Sequence, residues 1–276
     1  MEEQVSLITH WVNHIFGPVA LYLLHVLKIQ PADHETPIPE YVVMSLVVLV
    51  LGTVLALILR SRLSVERPGG MQQVAELLFT NPLKFGICDL LDENVGHGAR
   101  QHVAVVGTVS VFILFSNLLS VFPAFSAPTG IVVVPLACAS VTFVYFNWQG
   151  IRHHGTGHYL LTFAGSPRKL ADWLLGILLF PVELFSTAAR ILSLTARLWA
   201  NIFASDMLYG IMLSLLVKLT LFCWSKFAVL GAALAILPAV IPLAFIALHM
   251  FVAVIQAYVF TVLPTIYIGM ATADEH

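Results

Sequence analysis

Two apolar runs close the chain, one from about Ala171 to Val217 and one from about Phe227 to Ala271. They limit the fold more than any other feature. A helix rises about 1.5 Å per residue, so the first run, about 47 residues, is about 70 Å long. The hydrocarbon core of a bilayer is only about 30 Å thick, and an ordinary tilt of about 20° does not absorb the difference. Helices of this length lie strongly inclined or curved in a membrane. Pro181, Pro238, Pro242 and Pro264 are the positions where they can bend. The segment KLTLFCWSK between them, with Lys218 and Lys226 as its only charges, is expected to be the turn of an antiparallel hairpin. Two long inclined helices suggest a surface that wraps something round.

The rest of the chain agrees with a membrane setting. Apolar residues make up 59% and charged residues 10%, where a soluble domain carries about 25% charged. The expected class is an all-α polytopic membrane protein with about five transmembrane helices. It forms a single membrane domain over 1–276, in three stretches: an N-terminal interfacial segment and linker (1–40), first spans, an amphipathic segment and loops (41–170), and the long hairpin (171–271). A net charge of −2 gives no basic surface for nucleic acid. Cys88, Cys138 and Cys223 are too far apart for a CxxC pair and read as inert buried thiols. The acidic MEEQVS start lacks the positive region of a signal peptide, so it is expected in the mature chain.

In chain order, Phe16–Leu27 is an apolar run too short to span and is expected at the interface. A proline-punctuated linker (30–40) follows. Tyr41–Leu59, Val103–Phe122 and Ile131–Trp148 are the first three spans. Residues 71–93 mix apolar and charged positions around Pro82, as amphipathic surface pieces do. The 149–169 stretch is polar, and its His153, His154 and His158 read as a solvated loop rather than a metal site. Arg60, Arg62, Arg67 and Arg100, and Arg152, Arg168 and Lys169, mark the cytoplasmic side. The N-terminus is then outside and the C-terminus inside.

The unusual residues lie within the first long run, in PVELFSTAARILSLTARLWANIFASD (181–206). Arg197 is a permanent cation with apolar neighbours for turns on either side. Such a charge costs about 2.5–3.5 kcal/mol at the membrane centre even on the lenient insertion scale. Glu183, Arg190 and Arg197 recur every seven residues and share a face, drifting about 20° per step. Asp206 lies about 13 Å beyond Arg197 on nearly the opposite face, and Glu183 about 21 Å before it. In the second run, His249 and Gln256 are seven apart and share a face. A register that sets Gln256 level with Arg197 also brings Asp206 to within half a turn of His249. Arg190 is expected to snorkel or to pair with Glu183.

The stretch SLTARLWANIFASD (193–206), and IQAYVFTVLPTIYIGMA near the end, resemble the a subunit of the F-type ATP synthase. Arg197 falls on that family's arginine, Asn201 on its asparagine, and Asp206 on the acidic or histidine position closing the motif. His249, Gln256 and Glu183 also fall on family positions. Two residues depart from the pattern: Ser205 stands where glycine is usual, and Ser120, in NLLSVFP, where many members have aspartate.

The resemblance implies a non-catalytic stator subunit of a proton-translocating ATPase, with no cofactor and no metal. Its partners would be a ring of c subunits, b-type peripheral stalk subunits, the other synthase subunits and the lipid bilayer. Its place would be a bacterial plasma membrane. Asp206 and His249 would line an outer proton half-channel and Glu183 a cytoplasmic one. Arg197 would meet the ring carboxylates, oriented by Gln256. Other classes remain open on the residues alone. A self-contained channel or secondary transporter would need a complete path and often internal repeats, and a haem subunit would need paired histidines in the spans.

Overall fold

The computed structural model describes residues 6–26, 28, 36–96, 98–122, 125–163, 170–226 and 237–273. Every regular element among them is helical: α1 (Leu7–Val26), α2 (Glu40–Ser61), α3 (Gly70–Phe79), α4 (Ile87–Asn94), α5 (Val103–Leu119), α6 (Val133–His154), α7 (Thr156–Phe163), α8 (Leu170–Lys226) and α9 (Leu237–Thr272). Short 3-10 turns precede α5 and α6. A helix satisfies its own backbone polar groups, which is what a lipid environment demands.

Five helical stretches are long and apolar enough to cross a membrane: 7–26, 40–61, 99–119, 176–225 and 243–272. The chain is an integral membrane protein of all-α class. The membership of the five differs from expectation at two places. The N-terminal helix is 20 residues long rather than a short apolar run, because it starts at Leu7 and continues through His10, Asn13 and His14. A helix accepts scattered polar residues when their side chains find partners. Helix α6, although 22 residues long, is not among the five, since its last third carries Asn147, Gln149, Arg152, His153 and His154.

Two further expectations are corrected. The 218–226 segment is not a turn: α8 is continuous through Pro181 and on to Lys226. Residues 227–236, between α8 and α9 in sequence, lie outside the described residues. Nor is the 149–169 stretch wholly loop. Helix α6 runs to His154, Gly155 turns the chain at φ +78°, and α7 follows. That positive φ is easy only for glycine.

The chain divides into two compact units, neither contiguous in sequence, and α2, α5, α8 and α9 contribute residues to each. The first comprises 1–50, 114–131 and 198–256. Val43, Met44 and Val48 of α2, Leu198 and Ile202 of α8, and Ala253 of α9 are among its buried apolar residues. Asn13 ties α1 to the segment before α2: its Nδ2 donates to the Ile38 carbonyl at 3.0 Å and its Oδ1 accepts from Ile38 N at 2.9 Å. Ser126 Oγ donates to Glu40 Oε1 at 2.7 Å.

The second unit comprises 51–113, 132–197 and 257–276. Ile87 and Leu91 of α4, Ala99, Val106 of α5, Phe146 of α6 and Ile268 of α9 form its core. Pro82 cannot extend α3, and Asp89 in the first turn of α4 accepts from Asn81 N at 2.7 Å across the break. Amphipathic α4 packs on α9 closely: Asn94 Nδ2 donates to Thr265 Oγ1 at 3.3 Å, and a Cβ at Gly269 would run into the Asn94 carbonyl. Thr261 Oγ1 donates to Ser110 Oγ at 2.8 Å, joining α9 to α5. Hydroxyl bonds of this kind serve helix packing where no hydrophobic contrast with lipid exists. Cys88, Cys138 and Cys223 are free thiols of intermediate exposure. Burial, with Asp92 adding to it, pushes the Cys88 thiol up and away from the reactive thiolate.

Candidate functional site

The first unit holds a polar cluster built from α5, α8 and α9. His249, 8% exposed, stands at its centre with both ring nitrogens engaged. Nδ1 lies 2.6 Å from Ser205 Oγ, and Nε2 lies 2.7 Å from Ser120 Oγ. Asp206 Oδ1 is 3.8 Å from Nδ1. The two side chains that the sequence register set within half a turn of each other therefore meet. Ser120, Asp206, Tyr209 and His249, with Val121, Phe245 and Ile246, line a cavity of about 50 Å³. A polar space of that size has room for water.

Local structure explains why these groups converge. Serine 120 follows the end of α5, and its hydroxyl donates to Asn117 O at 2.9 Å, closing the last turn. Asn117 is fully buried, and its Oδ1 accepts from Thr129 Oγ1 at 2.6 Å. That bond folds the 125–130 segment back towards α5, and a Cβ on Gly130 would come within 3.9 Å of Asp206 Oδ2. Ser205 and Asp206 are neighbours on α8, so one hydroxyl and one carboxylate flank the same imidazole nitrogen.

Two turns along α9, Gln256 is 2% exposed and accepts from Asn201 Nδ2 at 2.9 Å. Its own Nε2 has no hydrogen-bond partner among the described residues. Asn201 lies one helical turn past Arg197 in sequence, so Gln256 meets a residue one turn from the expected one, while Ser205 and Asp206 meet His249 as the expected register has it. The pairs Asn201–Gln256 and Ser205–His249 run in opposite directions along the two helices, as an antiparallel hairpin requires.

The second unit holds the remaining residues singled out in the sequence. Arg190 Nη2 is 3.4 Å from Glu183 Oε1, and its guanidinium lies 5.1 Å from the centre of the Tyr267 ring. Arg190 thus pairs with Glu183 and also stacks on an aromatic face. Arg197 is exposed and, among the described residues, makes no ion pair or hydrogen bond. His153, His154 and His158 approach edge to edge, with ring centres 4.8 and 5.8 Å apart. No group of three potential metal ligands occurs among the described residues.

Sequence reasoning missed the roles of Ser120 and Ser205 as partners of His249, and of Asn117 and Tyr209. The two serines had been noted only as departures from a family pattern. A neutral hydroxyl within an apolar helix has no periodic signal of its own, and only the true register places it.

A polytopic helical membrane protein whose polar cluster joins an exposed carboxylate to a buried imidazole and two hydroxyls has the make-up of an ion-handling subunit. Comparison with known proteins is specific. The family described as ATP synthase A chain matches residues 41–269. The ATP synthase subunit a of Solibacter usitatus (strain Ellin6076) is 37% identical over 245 residues, 89% of this chain and 92% of that protein. That of Koribacter versatilis (strain Ellin345) is 35% identical over 264 residues, 96% and 95% of the two chains. The chain belongs to the ATP synthase A chain family.

Proposed function

We propose that the chain is the membrane stator subunit of a rotary ATP synthase. It offers two offset proton half-channels and presents Arg197 to the carboxylates of a rotating c-ring. The observation that carries this reading is the Asp206–His249 pair, held between two hydroxyls beside a cavity able to hold water. Imidazole exchanges protons near neutral pH, so the pair suits an outer half-channel. Glu183 belongs to the cytoplasmic half. Asn201 holds Gln256 at the level between the two.

Arg197 supplies what the clusters lack. As an exposed cation with no partner carboxylate among the described residues, it attracts an ionised acid brought to it by another subunit. An opposite charge lowers that acid's pKa and favours release of its proton. Its fixed charge also bars direct proton passage from one half-channel to the other. In an apolar 18-residue window of the 176–225 stretch of α8 only 6% is buried, which leaves the helix surface for lipid, the c-ring and b-type stalk subunits to cover. Arginines after α2, before α5 and at the end of α6 favour a cytoplasmic side common to them. Helix α6 has 22 residues, enough to cross although its polar last third keeps it out of the five; with it as a span and α1 along the interface, the N-terminus is outside and the C-terminus cytoplasmic, in a bacterial plasma membrane.

Arg197→Lys tests the central role. It keeps a charge but loses the planar fork that meets a carboxylate with two parallel bonds. The expected outcome is loss of proton-driven ATP synthesis by the assembled complex in vesicles, with the complex still assembled. Normal synthesis would refute the role. The chain reconstituted by itself is expected to conduct few protons, and robust transport by it would favour a self-contained channel.

A further inference from the structure

The partners of His249 identify which of its nitrogens does chemistry. The serine 120 hydroxyl has one proton, and it is donated to Asn117 O at 2.9 Å. Towards His249 Nε2, 2.7 Å away, that serine therefore presents lone pairs. The other group near Nε2 is the Asn117 carbonyl at 3.4 Å, which accepts and never donates. Two acceptors on one nitrogen require that nitrogen to carry hydrogen. A neutral imidazole has one N–H, so Nδ1 is left with a lone pair. The Ser205 hydroxyl, which has no other hydrogen bond among the described residues, donates to Nδ1 at 2.6 Å.

We propose that Ser120 and Ser205 are positioning residues that hold neutral His249 with its hydrogen on Nε2, making Nδ1 the nitrogen that exchanges a proton with Asp206. This rests on reading Asp206 and His249 as parts of a proton path. The transfer balances simply. Nδ1 takes up a proton from a hydronium ion arriving through water in the cavity, leaving water and the imidazolium; Ser205 turns its lone pair towards the new N–H, and Nδ1 then passes the proton to the Asp206 carboxylate. The products are a carboxylic acid and the original Nε2–H imidazole. The 3.8 Å separation of Nδ1 and Oδ1 is closed by rotation of the Asp206 side chain, which is 45% exposed. Throughout, the Nε2 hydrogen stays on its acceptors, so the ring need not flip between turnovers. Asp206 and Tyr209 are the other titratable side chains lining this cavity.

The test is nitrogen-15 solid-state NMR of the histidine-labelled chain in the assembled complex, with His249 assigned through its proximity to Ser120 and Ser205. At a pH where His249 is neutral, Nε2 is expected as the protonated nitrogen and Nδ1 as the bare one. A majority with hydrogen on Nδ1 overturns the proposal, and this measurement needs no variant to fold. Ser205→Gly is expected to slow ATP-driven proton pumping roughly threefold to tenfold, the worth of one hydrogen bond. Ser205→Thr, which restores a hydroxyl, is expected to recover the rate. Full activity of Ser205→Gly, or equal loss in both variants, overturns the positioning role. Failure of the wider reading has its own signature: proton uptake unaffected by Asp206→Ala, with the Nε2–H form of His249 still observed.

Discussion

The two units solve the same problem, polar groups within apolar helices, in opposite ways. In the second unit most of the polar side chains described above form closed pairs, with Arg197 the exception. Arg190 is held by Glu183 and Tyr267, Asn94 by Thr265 and the Leu90 carbonyl, and Thr261 by Ser110. Many of these donors and acceptors are fixed by their chemistry, and most of them tie one helix to another. In the first unit His249 stands between two hydroxyls, with a carboxylate close but not bonded and a cavity beside it. Imidazole and hydroxyl groups both donate and accept, so such a chain reverses its bonds without moving its backbone. Saturated fixed pairs give helix packing. An ambivalent chain beside space for water gives proton traffic.

Breaking the contacts of the second unit is expected to cost stability first, and for the α4–α9 contact to leave transport per assembled complex intact. The largest effect falls at Gly269→Val. The added side chain meets the Asn94 carbonyl, and overpacking of this kind costs about 1–3 kcal/mol. Less assembled protein in membranes and a lower unfolding temperature are the expected readouts. Wild-type stability would show that α4 has freedom to move off α9. A smaller effect is expected for Arg190→Gln, which removes the Glu183 pair and the Tyr267 stack. Both charged side chains are partly exposed, at 22% and 41%, so about 0.5–1 kcal/mol is expected from thermal unfolding. A loss of proton pumping without a loss of stability would move Arg190 out of the packing class and into the transport class.

Much of this architecture was legible in the residues. Long apolar runs dictated helices, because no other structure satisfies so much backbone in lipid. Seven-residue spacing put His249 and Gln256 on one face, and the structure buries both. Asp206 and His249 were expected to meet, and they lie 3.8 Å apart. The errors came from reading charges as punctuation. Lys218 and Lys226 look like loop residues, but long side chains of this kind can carry their charge away from a helix, and α8 continues through both. In the first unit the partner of Gln256 is Asn201, a neutral amide one helical turn along α8 from Arg197. The N-terminal helix was underestimated for the same reason, since its polar Asn13 is satisfied by the Ile38 backbone. The serines around His249 had no charge, no periodicity and no motif to mark their contact.

The contrast between the units is tested most directly by Asp206→Ala in the assembled complex. Proton uptake from the outer side of vesicles, driven by an imposed potential, is expected to fall about a hundredfold, the scale of a lost positioned acid–base group. The amount of assembled complex and its unfolding temperature should stay at wild-type values, because Asp206 makes no hydrogen bond among the described residues that holds one helix to another. Uptake at the unmodified rate would contradict the assignment of this cluster to the proton path.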